Sequence, residues 1–335
     1  MEYRILGKTG LKISRVGFGG IPIQRIDAEA TKVLMHQLVE AGVNFIDTAR
    51  GYTVSEEYLG YALEGIRDKF VLATKTMSRD AEGMAKDIET SLKNLRTDYI
   101  DLYQLHNVTP DQLEKVMAPG GALEALMEAK AAGKIGHIGI TAHGLEAFSK
   151  ALDLDWVETI MFPYNIVETQ GEDLIRKCAE KNIGFIDMKP LAGGAIEDAT
   201  LALRFILSNP DVSVAIPGMA DPRELEQNVA AGCDTAPLSA EEKAKMLEIR
   251  NTLGTQFCRR CNYCQPCPQG INISGSFLFE GYLDRYGLGE WAKGRYDAMP
   301  KHAGDCIGCG SCESRCPYNL PIREMLKRVA KKFGH

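Results

Sequence analysis

The chain lacks any apolar run long enough to cross a bilayer, so we expect no membrane partner. It also lacks an excess of basic residues. The 39 Lys and Arg are outnumbered by 45 Asp and Glu, and the net charge of −6 argues against nucleic acid as a partner. The first residues, Met1-Glu2-Tyr3-Arg4, have none of the features of a signal peptide. We therefore expect a cytoplasmic protein, in a compartment where disulfides rarely persist.

A second absence concerns the fold. Open, doubly wound α/β sheets that bind nucleotides usually carry a glycine-rich fingerprint after their first strand, and Gly17–Pro22 does not match it. Eight apolar stretches instead alternate with amphipathic helical patterns as far as about Ala231, after a hairpin predicted over Tyr3–Phe18. This α/β pattern favours a closed (β/α)8 TIM barrel. The predicted strands are Val16–Gly20, Val43–Ala49, Phe70–Thr74, Tyr99–Leu105, Ile135–Thr141, Thr159–Phe162, Gly184–Met188 and Val212–Ile216.

Cysteine, by contrast, is concentrated near the end of the chain. The last eighty residues hold eight of the ten cysteines, in two runs. These runs are Cys258-x2-Cys261-x2-Cys264-x2-Cys267-Pro268 and Cys306-x2-Cys309-x2-Cys312-x3-Cys316-Pro317. The second run has the spacing of bacterial ferredoxins with four-iron–four-sulfur clusters, and the first differs by one residue before its last cysteine. Cys178 and Cys233 lie outside both runs and are predicted to be plain buried thiols.

The two runs form an internal repeat, because Gly270 and Asn319 follow each Cys-Pro at equivalent places. Both residue types tolerate a left-handed backbone. In two-cluster ferredoxins the fourth cysteine of each run binds the other cluster. The sequence therefore predicts two 4Fe-4S clusters, one held by Cys258, Cys261, Cys264 and Cys316 and the other by Cys306, Cys309, Cys312 and Cys267. Zinc, which favours two separated pairs, and disulfides, which need an oxidising compartment, are the alternatives.

These patterns divide the chain into three parts. Residues 1–235 would form the barrel, 236–254 a linker helix with an N-terminal capping box at Ser239 and Glu242, and 255–335 a ferredoxin-like domain. A terminal helix is predicted over Ile322–Phe333. Its Lys327, Arg328, Lys331 and Lys332 would either face solvent or bind an acidic redox protein partner.

Four polar residues sit at or just beyond the ends of consecutive predicted strands. They are Asp47, Tyr52, Lys75 and His106. The carboxyl ends of barrel strands converge on one face, where active sites lie. Each residue alone has a structural explanation as a cap, a solvated charge or a satisfied histidine, but four together favour a catalytic site.

These residues carry a resemblance to the aldo–keto reductase family. The segments Phe45–Tyr52, Ser55–Gly60, Val71–Lys75 and Leu102–His106 are similar to that family's motifs and follow in the same order. The resemblance extends from about Tyr3 to Ala231, and the cysteine-rich tail resembles a ferredoxin-bearing branch of the family. It implies a barrel that transfers hydride between a nicotinamide cofactor and a small carbonyl or alcohol substrate.

The resemblance also implies a role for each of the four residues. Tyr52 would protonate the carbonyl oxygen, and the Lys75 ammonium would lower the pKa of that phenol from its usual value of about 10. Asp47 would keep Lys75 charged, and His106 would orient the substrate oxygen. Arg50 would either grip an anionic substrate or form a plain salt bridge.

Cofactor contacts are less well preserved. The family's Ser-Asn pair reads Thr141-Ala142 here, its glutamine reads Met161, and the stacking aromatic residue reads Met188. A carboxylate, Glu224, lies in the segment that would receive an NADP 2′-phosphate, although Arg223 is adjacent. The residues predicted to contact NAD(H) or NADP(H) are Thr141, Leu191, Gly193, Gly218, Arg223, Gln227 and Asn228.

Electron counting leaves alternatives open. A hydride carries two electrons whereas each cluster takes one at a time, and a flavin commonly bridges the two. The clusters would act as an electron relay or as a structural element beside nicotinamide chemistry. The first alternative is a ferredoxin- or flavin-linked oxidoreductase without nicotinamide. The second is an electron-transfer or interaction protein built on a barrel scaffold.

Overall fold

The computed structural model describes residues 1–335 and divides into two compact units. The first comprises Met1–Asn165, Thr169–Leu191 and Asp198–Leu238. The second comprises Ser239–His335 together with two short segments from earlier in the chain, Ile166–Glu168 and Ala192–Glu197. None of the helices has both the length and the hydrophobicity that crossing a bilayer requires.

The first unit begins with a hairpin. Strands β1 (Tyr3–Ile5) and β2 (Lys12–Ser14) pair antiparallel. The turn between them needs glycine, because Gly7 has a φ of +52° and a Cβ there would lie 2.2 Å from the amide nitrogen of Gly184. The hairpin also contributes to the barrel interior, since Leu6 and Ile13 are fully buried in the cluster that fills it.

Eight parallel strands follow, and each pairs with its neighbours in chain order. They are β3 (Phe18–Gly19), β4 (Phe45–Asp47), β5 (Val71–Thr76), β6 (Ile100–Leu105), β7 (Ile135–Thr141), β8 (Thr159–Pro163), β9 (Gly184–Met188) and β10 (Val214–Ala215). Parallel bridges from Val16 to Ala215 and from Gly19 to Gly218 join the last strand to the first. These bridges close the sheet, which confirms the predicted (β/α)8 barrel.

Helices cover the outside of the barrel. They are α1 (Ala28–Glu40), α2 (Ser55–Ala62), α3 (Ala81–Asn94), α4 (Pro110–Met117), α5 (Ala122–Ala131), α6 (Leu145–Ala151), α7 (Glu172–Glu180), α8 (Ala199–Leu207) and α9 (Pro222–Cys233). Aspartate caps explain where several of them begin, because Asp27, Asp80, Asp198 and Asp221 each accept a hydrogen bond from an amide of the first turn.

Two apolar layers follow from the alternation of side chains along the strands. Outward-facing residues such as Ile46, Leu72 and Tyr103 pack with the helices in the main core. Inward-facing residues such as Phe45 and Leu102 fill the barrel. The same inward parity carries Asp47 and Gln104, two residues further along their strands, so the interior changes from apolar to polar towards the carboxyl ends.

The second unit contains four helices, α10 (Ala240–Leu253), α11 (Ile273–Asp284), α12 (Gly289–Asp297) and α13 (Ile322–Phe333). The predicted capping box of α10 is confirmed, since Ser239 and Glu242 exchange side-chain to backbone hydrogen bonds. The sequence repeat is also a structural one. Gly270 and Asn319 both have a left-handed backbone, and their amides donate to the carbonyls of Cys267 and Cys316.

The charges of α13 are mostly engaged within the unit. Arg328 and Lys332 bind Glu280 of α11, and Lys327 binds Glu324. Three of the four basic residues named in the prediction therefore have carboxylate partners, which weakens the interpretation of this helix as a docking surface for an acidic protein.

Gly60 provides a test of the helix packing in the first unit. A Cβ at Gly60 would lie 2.1 Å from the carbonyl oxygen of Asn94, at the end of α3. We expect Gly60→Ala to lower the free energy of unfolding by about 2 kcal/mol, because the backbone of α2 or α3 must shift. Gly144→Ala is the matched control, since nothing lies within 4 Å of the added atom. The measurement is denaturant unfolding monitored by circular dichroism. Equal unfolding midpoints for the two variants would contradict this packing.

Candidate active site and cysteine-lined cavities

Strand register brings the polar residues of the first unit together. In the parallel ladder Asp47 of β4 pairs with Ala73, and Lys75 of β5 pairs with Gln104 of β6. Lys75 is two residues beyond Ala73, so its side chain points to the same interior face of the barrel as Asp47. Both side chains are almost completely buried.

An ion pair occupies the centre of this group. The Lys75 ammonium donates to Oδ2 of Asp47 and, at 2.8 Å, to the carbonyl oxygen of Thr48. Burial lowers the pKa of Lys75, and the Asp47 carboxylate opposes that shift. Burial likewise raises the pKa of Asp47, opposed by Lys75 and Gln104. The two charges are therefore stable inside the barrel because each compensates the other.

Gln104 is part of this group, and the sequence interpretation missed it. Its Nε2 donates to Oδ1 of Asp47 at 3.2 Å, so both carboxylate oxygens have a donor. The side chain is fully buried. The available signal was a polar residue at an inward position of an otherwise apolar strand, two residues before His106.

Tyr52 and His106 lie beside the pair. The Lys75 ammonium is 5.0 Å from the centroid of the Tyr52 ring. The rings of Tyr52 and His106 meet edge to face, with centroids 5.9 Å apart. All four residues predicted from the strand ends are thus neighbours at one end of the barrel.

Arg50 is held by carboxylates of the barrel wall. Its Nη1 is 2.8 Å from Oε2 of Glu56, and its Nε is 3.9 Å from Oδ1 of Asp87. Glu56 is 1% exposed and also accepts hydrogen bonds from Thr74 and Ser91, each at 2.8 Å. The salt bridge, and not a free anion-binding guanidinium, is what the structure contains.

The positions that the resemblance assigns to the nicotinamide, Thr141 and the departures Met161 and Met188, lie on β7 to β9. The Thr141 hydroxyl is buried and accepts from the Asn107 amide at 2.7 Å. Met161 and Met188 are buried in the apolar cluster of the barrel interior. Thr141 thus offers a polar atom at this face, whereas the two methionines offer only apolar surface.

The residues predicted for the adenosine lie around the start of α9. The Arg223 side chain is 91% exposed, and Gln227 donates to the Thr200 hydroxyl at 3.4 Å. Asn228 is buried, and Gly218 forms the bridge to Gly19 that closes the sheet. Glu224 caps the amide of Ala220 at 2.6 Å and lies 3.8 Å from Arg25.

Leu191 and Gly193, the other two nucleotide candidates, belong to different units. Leu191 is the last residue of a segment of the first unit and is partly exposed. Within the second unit the carbonyl oxygen of Gly193 accepts from Nε of Arg285 at 2.8 Å. The Tyr286 hydroxyl would lie 3.3 Å from a Cβ at Gly193, so this glycine accommodates a protein side chain.

The second unit contains two cavities lined by cysteines from both runs. One is lined by Cys258, Cys261, Cys264 and Cys316, and the other by Cys267, Cys306, Cys309 and Cys312. Each cavity thus takes three cysteines from one run and the last cysteine of the other. Outside the runs, Cys178 is buried as predicted, but the prediction for Cys233 is wrong, because it is exposed at the end of α9.

The donor chemistry of these cavities fits iron–sulfur clusters. Each offers four thiols, the ligand set of a 4Fe-4S cluster, on an apolar background that includes Ile273. No three cysteines are grouped closely enough to hold a single metal ion. Thiols spread around a cavity would suit a cluster, which can be held by all four of them.

The buried ion pair generates a stability prediction. Lys75→Met and Asp47→Asn should each destabilise the barrel by about 3–5 kcal/mol, because the remaining charge is left buried without its partner. The double variant should cost at least about 1 kcal/mol less than the sum of the two. The exposed Lys69–Asp68 pair is the control. A double-mutant cycle on that pair should give no measurable interaction free energy. Additive losses at Asp47 and Lys75 would contradict the ion pair.

Comparison with known proteins agrees with this architecture. Residues 15–200 match the model of the aldo/keto reductase family, and residues 257–321 match that of a 4Fe-4S dicluster domain. L-galactose dehydrogenase from Arabidopsis thaliana is 29% identical, over 72% of this chain and 92% of that protein. Aldo-keto reductase YhdN from Bacillus subtilis is 33% identical, over 54% of this chain and 59% of that protein.

A solved structure is also similar. The holo form of aldo-keto reductase AKR11C1 from Bacillus halodurans has a TM-score of 0.65 and 27% identity, and the match covers 74% of this chain and 96% of that chain. The closed barrel and the family match over more than half of the sequence lead to one conclusion. The chain is an oxidoreductase of the aldo/keto reductase family that carries a C-terminal 4Fe-4S dicluster domain.

Proposed function

We propose that the barrel transfers hydride between a nicotinamide cofactor and a small carbonyl or alcohol substrate, with Tyr52 as the proton donor. The observation that carries the proposal is the Lys75 ammonium, buried and paired with Asp47, 5.0 Å from the Tyr52 ring centroid. A cation beside a phenol favours the phenolate, which brings proton transfer closer to neutral pH.

The protein residues would divide the reaction between them. When bound, reduced nicotinamide supplies a hydride to the carbonyl carbon. Tyr52 gives its hydroxyl proton to the carbonyl oxygen, which becomes the alcohol. His106, edge to face with Tyr52, orients that oxygen. Gln104 and Asp47 act through Lys75, because they hold its ammonium in one place.

The nucleotide would be held by residues at the later strands. Thr141 would offer a hydroxyl to the carboxamide, and Arg223, Gln227 and Asn228 on α9 would contact the adenosine. Glu224 disfavours a 2′-phosphate by charge and favours a 2′-hydroxyl, which supports NAD(H) over NADP(H). The exposed guanidinium of Arg223 is the feature that would still admit NADP(H).

The second unit would bind two 4Fe-4S clusters, one in each cysteine-lined cavity. The support is that each cavity brings together the four cysteines that cross-ligation between the runs requires. A cluster exchanges one electron at a time, so such a pair suits exchange with a one-electron redox protein.

A second candidate is favoured by the methionines. Met161 and Met188 replace the amide and the ring that would contact nicotinamide, and both are buried in apolar surroundings. A flavin there would connect two-electron chemistry on the substrate to one-electron clusters. Anaerobic titration with NADH and NADPH, combined with a flavin assay, separates the candidates. Binding of neither nucleotide by a protein that co-purifies with flavin would overturn the nicotinamide proposal.

The proposed role of Tyr52 as proton donor can be tested with a variant that lacks only the phenolic hydroxyl. Tyr52→Phe should lower turnover about 100-fold or more, with iron content and nucleotide binding unchanged, because only the proton donor is lost. Tyr58→Phe, on α2 just beyond the site, is the matched control and should keep wild-type turnover. Unchanged turnover of Tyr52→Phe on a substrate that the wild type reduces would exclude it as the acid.

Cross-ligation is tested by cysteine substitution. Cys309→Ser and Cys267→Ser should remove the same cluster although they lie in different runs, and Cys261→Ser and Cys316→Ser should remove the other. Each variant should fall from about eight to about four iron atoms per chain, measured with acid-labile sulfide. Cys233→Ser, outside both cavities, should keep full iron. If Cys267→Ser and Cys264→Ser, which share a run, gave the same residual electron paramagnetic resonance spectrum, the assignment would be wrong.

A further inference from the structure

Arg259 occupies an unusual position among the charged residues of the second unit. It lies next to Cys258 in the first run and lines the cavity of Cys258, Cys261, Cys264 and Cys316. Only 8% of the residue is exposed. It is therefore a cation placed against a cysteine-lined cavity and shielded from water.

The contacts of Arg259 are neutral. Its guanidinium donates to the carbonyl oxygens of Val167 at 3.2 Å, Gly254 at 2.9 Å and Phe257 at 3.4 Å. Its guanidinium carbon lies 3.9 Å from the centroid of the Tyr318 ring. No carboxylate lies within salt-bridge distance of it, so its positive charge is not neutralised by a side chain.

The neighbouring arginine shows the contrast. Arg260 pairs with the fully buried Glu168 at 2.8 Å, so that pair carries no net charge. The second cavity is lined by Arg323, whose side chain is 47% exposed and binds Glu313 at 2.7 Å. Of the arginines lining the two cavities, only Arg259 combines burial with the absence of a carboxylate partner.

A buried charge without a partner is costly, and a nearby group of opposite sign offsets that cost. A 4Fe-4S cluster with four thiolates is such a group, since its net charge is −2 when oxidised and −3 after reduction by one electron. Reduction adds one negative charge to the cluster, so its free energy responds to nearby fixed charge.

We propose that Arg259 raises the reduction potential of the cluster bound by Cys258, Cys261, Cys264 and Cys316, by stabilising its reduced state. Arg323 contributes less to the other cluster, because water and Glu313 screen its charge. The two clusters of this chain are therefore tuned separately. The inference rests on the clusters of the proposed function and is independent of the hydride chemistry.

The test is a reductive titration of the anaerobically purified full-length protein, with dithionite as electron donor and paramagnetic resonance as readout. Arg259→Gln keeps donors for the carbonyl oxygens and removes the charge. It should make reduction of one cluster at least tenfold less favourable, a shift of about 59 mV for one electron, and leave the other cluster unchanged. Arg259→Lys, which keeps the charge, should retain most of the wild-type midpoint.

Arg323→Gln is the matched control, and its smaller shift should appear in the other cluster. Iron and sulfide analysis of the wild-type protein tests whether the clusters are present. A wild-type protein without iron would contradict the proposed cluster binding, which is a different result from an unchanged reduction potential in Arg259→Gln. If Arg259→Gln does not take up full iron, the same midpoint is measured in Arg259→Met, provided that this variant contains full iron. A change of less than twofold in the reduction equilibrium, about 18 mV for one electron, would overturn the role of the charge. So would a loss in Arg259→Lys as large as in Arg259→Gln.

Discussion

A lysine ammonium inside the barrel is the interaction on which the candidate active site depends. Moving that charge out of water is costly unless a counter-charge and further acceptors replace the solvent. The structure supplies the Asp47 carboxylate and the Thr48 carbonyl oxygen, and Gln104 satisfies the second carboxylate oxygen. The pairing of β4, β5 and β6 fixes these positions, because side chains two residues apart on a strand share a face. The closed sheet therefore holds the partners that offset the desolvation cost of the Lys75 cation beside Tyr52.

Much of this arrangement could be predicted from the sequence, because regular spacing determines it. The ends of consecutive predicted strands brought Asp47 and Lys75 to one face of the barrel, and the spacing of the cysteines identified the cluster domain. The rest depends on contacts between residues far apart in the chain. Gln104 reads as one polar residue in an apolar strand, and Glu56 as an ordinary surface acid of α2. Only tertiary packing reveals that both are buried, that Glu56 accepts hydrogen bonds from Thr74 and Ser91, and that Gln104 donates one to Asp47.

Glycine illustrates why a motif does not by itself identify its partner. Gly193 is predicted to contact the nucleotide, because a backbone without a side chain allows a close approach. In the second unit that bare backbone is approached by Tyr286 and Arg285. The physical requirement, a close approach that a Cβ would block, is the same for both partners. Sequence identifies the requirement, and the identity of the approaching group has to come from the fold.

The two units also differ in how they handle charge, and this difference has a chemical reason. In the barrel, the proposed proton transfer needs a cation whose charge is balanced, so that it stays protonated and fixed beside the phenol. A cluster would gain from the opposite arrangement, because fixed positive charge that is already present stabilises an added electron. Lys75, with its carboxylate, suits the first requirement. Arg259, with none, suits the second. The presence or absence of a carboxylate partner for a buried cation thus indicates which chemistry its site suits. The buried charge alone would not distinguish the two.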